Sequence, residues 1–149
     1  STIDPFVELA NSVEDVARNS GISATEASVL IQVTDDLRIS TDTLKVANKN
    51  LTKEGIQPTF DNMKKLAEQY QAIKDPVERA QFATQHFGKA AQEMTKLLET
   101  NISTLDDMGV VISKADGDRR VLEAQMHSLE RRLDGVERSV RELTEGVSR

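Results

Sequence analysis

Cysteine is absent from the 149 residues. No disulfide framework can tie the chain together, and no thiolate is present to serve as a nucleophile or zinc ligand. Aromatics are scarce, four Phe and one Tyr, all before residue 88. A β-sandwich draws on aromatic and β-branched residues at short spacing, and this composition argues against one. Proline and glycine, at three and seven residues, are too few for a low-complexity chain. Long hydrophobic runs are missing too; Val29-Leu30-Ile31 is typical of the longest. A membrane span takes about 20 apolar residues, so none is expected. The N-terminal residues Ser1-Thr2-Ile3-Asp4-Pro5 lack the basic start and apolar core of a signal peptide. The expectation is that an initiator Met was removed or that the chain is a fragment. The net charge of −6 repels phosphate backbones, so nucleic acid is not an expected partner.

What the chain does have is a seam. Leu122, Met126, Leu129, Leu133, Val136, Val140, Leu143 and Val147 follow an unbroken 4-3-4-3 spacing. A helix with apolar residues every 3.5 positions carries a narrow stripe that other helices must cover. With Met126, Leu133, Val140 and Val147 at a, Leu122, Leu129, Val136 and Leu143 fall at d. The e positions are Glu123, Glu130, Glu137 and Thr144; the g positions are Gln125, Arg132, Ser139 and Gly146. Arg132 at g can meet Glu137 at e of a parallel neighbour. No polar residue occupies these a or d positions, so nothing enforces a dimer over a trimer. The other reading of the stripe is an amphipathic helix folded back on the rest of the chain, though such a face is usually wider.

Composition changes near residue 115. Residues 1–114 hold nine Lys and three Arg, and residues 115–149 hold no Lys and seven Arg. Chance in a short tail is one explanation; a boundary between two modules is the other. Ser113-Lys114-Ala115-Asp116-Gly117-Asp118 is polar and turn-prone and is expected to be a linker.

The first module is punctuated as short helices. Asp4-Pro5 offers a cap and a first-turn proline ahead of a stripe of Phe6, Leu9, Val13 and Val16, ended by Gly21. Ser23-Ala24-Thr25-Glu26 is a capping-box pattern ahead of Ala27, Leu30, Ile31 and Leu37. Ser40 to Thr43 opens a third helix with Leu44, Val46, Ala47 and Leu51, stopped by Gly55. Pro58 leads into a fourth with Phe60, Met63, Leu66, Ala67 and Tyr70. Asp75-Pro76-Val77-Glu78 starts a fifth with Ala80, Phe82, Ala83 and Phe87, stopped by Gly88. A sixth, from about Ala90, carries Met94, Leu97 and Leu98. Residues 101–112 are ambiguous, with Asp106-Asp107-Met108-Gly109 a possible turn. The expected fold is all-α: a bundle of five or six short helices (1–114), then a parallel oligomeric coiled coil (115–149).

Sites of chemistry are hard to find. His86 and His127 are far apart with no ligand pattern around them. Glu14-Asp15, Asp35-Asp36 and Asp106-Asp107 are adjacent pairs whose side chains point apart on a helix. Phosphate loops and nucleophile elbows are missing. Asn50-Leu51-Thr52 and Asn101-Ile102-Ser103 match the glycosylation pattern, without a secretory signal to give it meaning. Val16 to Leu30 imitates a helix-turn-helix. Its would-be reading helix, Ser23 to Val33, holds no Lys or Arg, carries Glu26, and runs into Asp35-Asp36; recognition of DNA requires the opposite charge. No cofactor, metal or enzymatic activity is expected.

Three blocks carry a family resemblance. The first is Ile22-Ser23-Ala24-Thr25-Glu26-Ala27-Ser28 with Leu30-Ile31-Gln32. The second is Leu51 to Thr59 with Leu66-Ala67-Glu68-Gln69-Tyr70. The third is Pro76 to Lys89 with Glu93 to Glu99. In order and spacing these resemble a helical segment of phage and prophage tail tape measure proteins, over roughly residues 21–99. The resemblance implies a structural protein of the virion tail interior, present in the host cytoplasm during assembly, with tail-tube or tail-tip proteins as partners and no catalytic residues. It also implies a preference for a homotrimer over a dimer. A helix rises about 1.5 Å per residue, so the whole chain could measure only about 220 Å, short for such a ruler. A fragment, a truncated relic, or a segment joined to a separate coiled coil is expected. The rival expectations are a prophage-derived cytoplasmic protein that binds tail components to regulate assembly and, behind it, a helix-turn-helix regulator.

Overall fold

The computed structural model describes residues 5–148, and the side chains of residues 8–146. Asp4 and the side chains of Phe6 and Val147 therefore lie outside the described residues. The described residues form seven α-helices and one 3-10 turn, with no strand among them. In order they are α1 (Pro5–Ser20), α2 (Ala24–Asp36), α3 (Thr41–Lys53), α4 (Phe60–Ala72), α5 (Pro76–Phe87), the 3-10 turn (Gly88–Ala90), α6 (Ala91–Leu98) and α7 (Ile102–Ser148). The all-helical expectation holds. Contacts group the chain into two units, Ser1–Ile112 and Ser113–Arg149.

Caps explain why the first unit's helices begin where they do. At the starts of α2, α3, α4, α5 and α7 an orphan N–H finds a side-chain oxygen, whereas α6 begins without a side-chain cap. Ser23 accepts from the Glu26 N–H at 3.1 Å, Ser40 from Thr43 at 3.1 Å and Thr59 from Asn62 at 3.2 Å. Asp75 accepts from Val77 at 3.2 Å, ahead of Pro76 at the first helical position. Asn101 starts α7 with its side-chain oxygen 3.1 Å from the Ser103 N–H. The capping box at Ser23 is only half formed. The Glu26 carboxylate instead accepts from the Phe60 N–H, at 3.2 Å, and so caps α4 from another helix.

Helix ends follow the left-handed pattern. Gly21 and Gly55 both have positive φ, 65° and 80°. The following N–H reaches back five residues, Ile22 to the Ala17 carbonyl and Ile56 to that of Leu51. Glycine adopts this conformation without a Cβ penalty. Helix α2 ends in the same way with Arg38, at φ 62°, a stop that nothing in the local composition signals.

Helix α3 packs against α1, α2, α5, α6 and the 3-10 turn. The interior is filled by Leu30, Leu44, Leu51, Met63, Phe87, Met94, Leu97, Leu98 and Leu105, all sealed from water. Most expected core positions are buried. Val46 is not; it is 40% exposed. The inward face of α3 is Leu44, Ala47, Asn48 and Leu51, at i, i+3, i+4 and i+7, which turns Val46 outward. Ala80 is exposed as well.

Two expectations about the stretch before the seam are corrected. Neither a turn at Asp106-Asp107-Met108-Gly109 nor a linker at Ser113–Asp118 is present; α7 runs through both. Turn propensity is a weak prior when tertiary contacts favour a helix. Here Leu105 and Ile112 are buried in the core, Lys64 pairs with Asp106 at 2.9 Å, and Gly109 lies close beneath the Phe60 ring. The compositional boundary at 114/115 therefore falls inside a helix.

Candidate self-association surface

Seven of the eight seam residues have described side chains: Leu122, Met126, Leu129, Leu133, Val136, Val140 and Leu143. All are between 55% and 70% exposed. They lie on one continuous helix, α7. Heptad spacing brings them to one side of it. Single apolar residues at a surface are ordinary; here they form a contiguous stripe.

The flanks of the stripe are polar. His127, at b, pairs with Glu130 at 3.5 Å with both side chains largely in water. Thr144 Oγ1 donates to the Val140 carbonyl at 2.9 Å. Small residues gather at the far end, where Ser139 and Gly146 at g border a shallow hollow beside Leu143 and Glu142. Gly135 and Gly146 have open space where a Cβ would be. Arg132 and Glu137, the expected partners across copies, are both exposed.

The rest of the molecule offers polar clusters that serve packing. His86 Nδ1 lies 2.7 Å from Glu54 Oε2, and the Phe82 ring meets the imidazole edge-on at 4.5 Å between centroids. Asn48 is fully buried and donates to Ser20 Oγ at 2.9 Å; its side-chain oxygen has no hydrogen-bond partner. Tyr70 donates to Glu99 Oε1 at 3.2 Å, with the Arg79 guanidinium 5.3 Å from the centre of its ring. Burial first, then the negative charge and hydrogen bond of Glu99, raise the Tyr70 phenol above its ordinary value, and Arg79 opposes them. Among the described residues, no group of three or more acidic or histidine side chains could hold a metal ion. No helix among them is long and apolar enough to cross a membrane.

The would-be reading helix of the helix-turn-helix pattern is α2, and it is largely enclosed. Ala27 to Ile31, Val33 and Thr34 are buried, and Gln32 is half-buried. Its first residues, Ala24 and Thr25, and its last, Asp35 and Asp36, are exposed.

Sequence reasoning missed three partnerships. The Glu26 cap on α4, the Asn50 side chain bridging the Val46 and Phe87 carbonyls, and the Asn48–Ser20 pair all join residues far apart in the chain. Both asparagines of the glycosylation patterns have engaged side chains, Asn50 as a bridge between helices and Asn101 as a local cap.

Compared with protein-family models, curated proteins and solved structures, the chain has no significant match.

Proposed function

We propose that this chain is a non-enzymatic structural protein that assembles with copies of itself through the seam of α7, and that its setting is a phage or phage-like tail. One observation carries the assembly reading: seven consecutive heptad side chains stand more than half exposed on one helix. At about 25 cal/mol per Å², hiding the exposed part of each returns about 1 kcal/mol. That gain is repeated at every layer of the seam.

Orientation follows from the flanks. In a parallel, in-register assembly, Arg132 at g faces Glu137 at e of the next copy, an attractive pair. With the same stripes overlapped antiparallel, e positions face e positions and Glu130 meets Glu137, carboxylate against carboxylate. Each exposed pair is worth well under about 1 kcal/mol, yet the two arrangements differ in sign, and such flanking charges set strand direction. The apolar a and d positions leave the copy number open, and the tail setting favours a trimer.

That setting rests on the three sequence blocks within residues 21–99. In it, the unit Ser1–Ile112 is the part that tail-tube or tail-tip proteins contact, in the virion tail interior and before that in the host cytoplasm. The largely enclosed α2 supports this reading over the DNA-binding regulator.

Sedimentation of the full chain across a concentration series tests the assembly. A mass above the monomer is expected. Leu129→Glu with Leu133→Glu, which keeps good helix formers on α7, is expected to return the monomer with unchanged helical content. A monomer at all concentrations for the unaltered chain would sink the proposal. Incorporation of tagged chain into purified particles separates the tail component from a cytoplasmic assembly regulator.

A further inference from the structure

The continuity of α7 extends the heptad register upstream of the seam. Counting back from Met126 and Leu122, the a positions are Arg119, Ile112 and Leu105, and the d positions are Ala115 and Met108. Leu105 and Ile112 are buried and Met108 is half-buried, all within the first unit. From Leu122 onward the same register is exposed. One stripe therefore has two uses: its start is covered by the chain's own core, and its end is open to other copies.

The changeover is marked by charge. Arg119 stands at a, where an apolar residue would continue the seam, and its guanidinium holds the Asp116 carboxylate at 3.1 Å. Asp116 is at e and is buried, 6% exposed. Asp118 is at g, where a parallel neighbour would present Glu123. A zipper advancing upstream past Leu122 would bring guanidinium groups together at the a layer and carboxylates together on its flank. A polar residue at a is known to limit register at a cost in stability, and removing a charged pair such as Arg119–Asp116 from water carries a desolvation cost that its own attraction need not repay.

We infer that Arg119 is the stop of the intermolecular zipper, confining assembly to Leu122 and beyond so that copies do not compete for the stripe Leu105–Met108–Ile112 that completes the first unit's core. The inference rests on the seam acting between copies. The partner is a second copy of this chain, and Arg119 sets where contact with it begins.

The absence of cysteine permits a clean test with single cysteines in the full chain. A disulfide forms when Cα atoms approach to about 5.5–6 Å. Met126→Cys lies inside the proposed zipper, and Ala115→Cys, an exposed d position, lies upstream of the stop. On mild oxidation Met126→Cys is expected to link copies efficiently and Ala115→Cys only weakly. Adding Arg119→Leu is expected to raise the Ala115→Cys product several-fold, while Arg119→Lys leaves it low. Linking at Ala115→Cys equal to that at Met126→Cys with Arg119 in place overturns the stop. So does an Ala115→Cys yield that Arg119→Leu leaves unchanged. If Met126→Cys fails to link and the chain sediments as a monomer, the assembly reading itself has failed, which is a different result.

Discussion

Glu26 Oε2 accepts a hydrogen bond from the Phe60 backbone N–H at 3.2 Å, across 34 residues. The pair joins α2 to the start of α4 and places a carboxylate at the positive end of a helix dipole. Thr59 satisfies the Asn62 N–H of the same turn, so the two caps divide the orphan donors between them. Replacing Glu26 by Ala leaves the Phe60 N–H without its partner. Loss of a cap costs about 0.5–2 kcal/mol, and Glu26→Ala is expected to fall in that range in urea unfolding. Glu26→Gln keeps an acceptor and loses the charge, so a smaller loss is expected. Equal stability of Glu26→Ala and the unaltered chain would show that the bond contributes nothing.

Glycines on α7 separate by what surrounds them. A Cβ at Gly109 would lie 2.6 Å from Phe60 Cε2, and Phe60 is buried. Gly135 has nothing within 4 Å of that point. Gly109→Ala therefore overpacks the interior and is expected to cost about 1–3 kcal/mol. Gly135→Ala relieves a helix of its most flexible residue and is expected to stabilise it by about 1 kcal/mol. Thermal melts of the two variants should move in opposite directions.

Tyr70 is the only tyrosine, and tryptophan is absent, so absorbance at 295 nm reports one phenol. Its value is raised above the ordinary 10.0 by burial and by Glu99. The folded chain then holds the proton that the unfolded chain releases near 10. Stability from this group is complete below that pH and is lost as pH climbs through the raised folded value. The absorbance midpoint is expected above 10 in the folded chain and near 10 in urea. Tyr70→Phe is expected to weaken the alkaline decline in stability. Coincident midpoints would remove the effect.

The legibility of this chain follows from distance along it. Ser23, Ser40, Asp75, Gly21 and Gly55 act on neighbours two to five residues away, so the short-range pattern shows them, and the structure finds each at its helix end. The fourth and sixth helices also present their expected faces, with Met63, Leu66, Met94 and Leu97 buried. What pattern could not show depends on partners in other helices. Asn48 is polar yet sits fully buried on α3 because Ser20 of α1 receives it, while Val46, two positions away, falls on the opposite side of the helix. The acidic and small residues from Asp106 to Asp118 read as loop because Lys64, Phe60 and the core that hold the first of them in α7 come from elsewhere in the chain. The seam itself was legible from spacing alone, and the structure adds its exposure and the upstream extension of its register.

Arg38 provides the last test, because it occupies a place that glycine usually fills. Its φ of 62° brings Cβ against the following carbonyl, a conformation that costs an L-residue about 1–2 kcal/mol. The surrounding hydrogen bonds hold it there. Ile39 N–H reaches the Thr34 carbonyl at 2.8 Å, Arg38 N–H reaches Asp35 at 3.0 Å, and Lys96 Nζ donates to the Arg38 carbonyl at 3.0 Å. Ile39, buried at 3% exposure, anchors the turn from beyond. All of these interactions are made by backbone atoms of residue 38 or by its neighbours, so its side chain can change without removing them. Arg38→Gly relieves the strain and also gains unfolded-state entropy, which offsets part of the benefit; a net stabilisation of up to about 1 kcal/mol is expected. Arg38→Val forces a β-branched residue into the same conformation and is expected to destabilise by more than Arg38→Gly gains, since positive φ is least tolerated there. Denaturant midpoints for the pair decide the matter: if Arg38→Val equals or exceeds Arg38→Gly in stability, the end of α2 is held by something other than this left-handed turn.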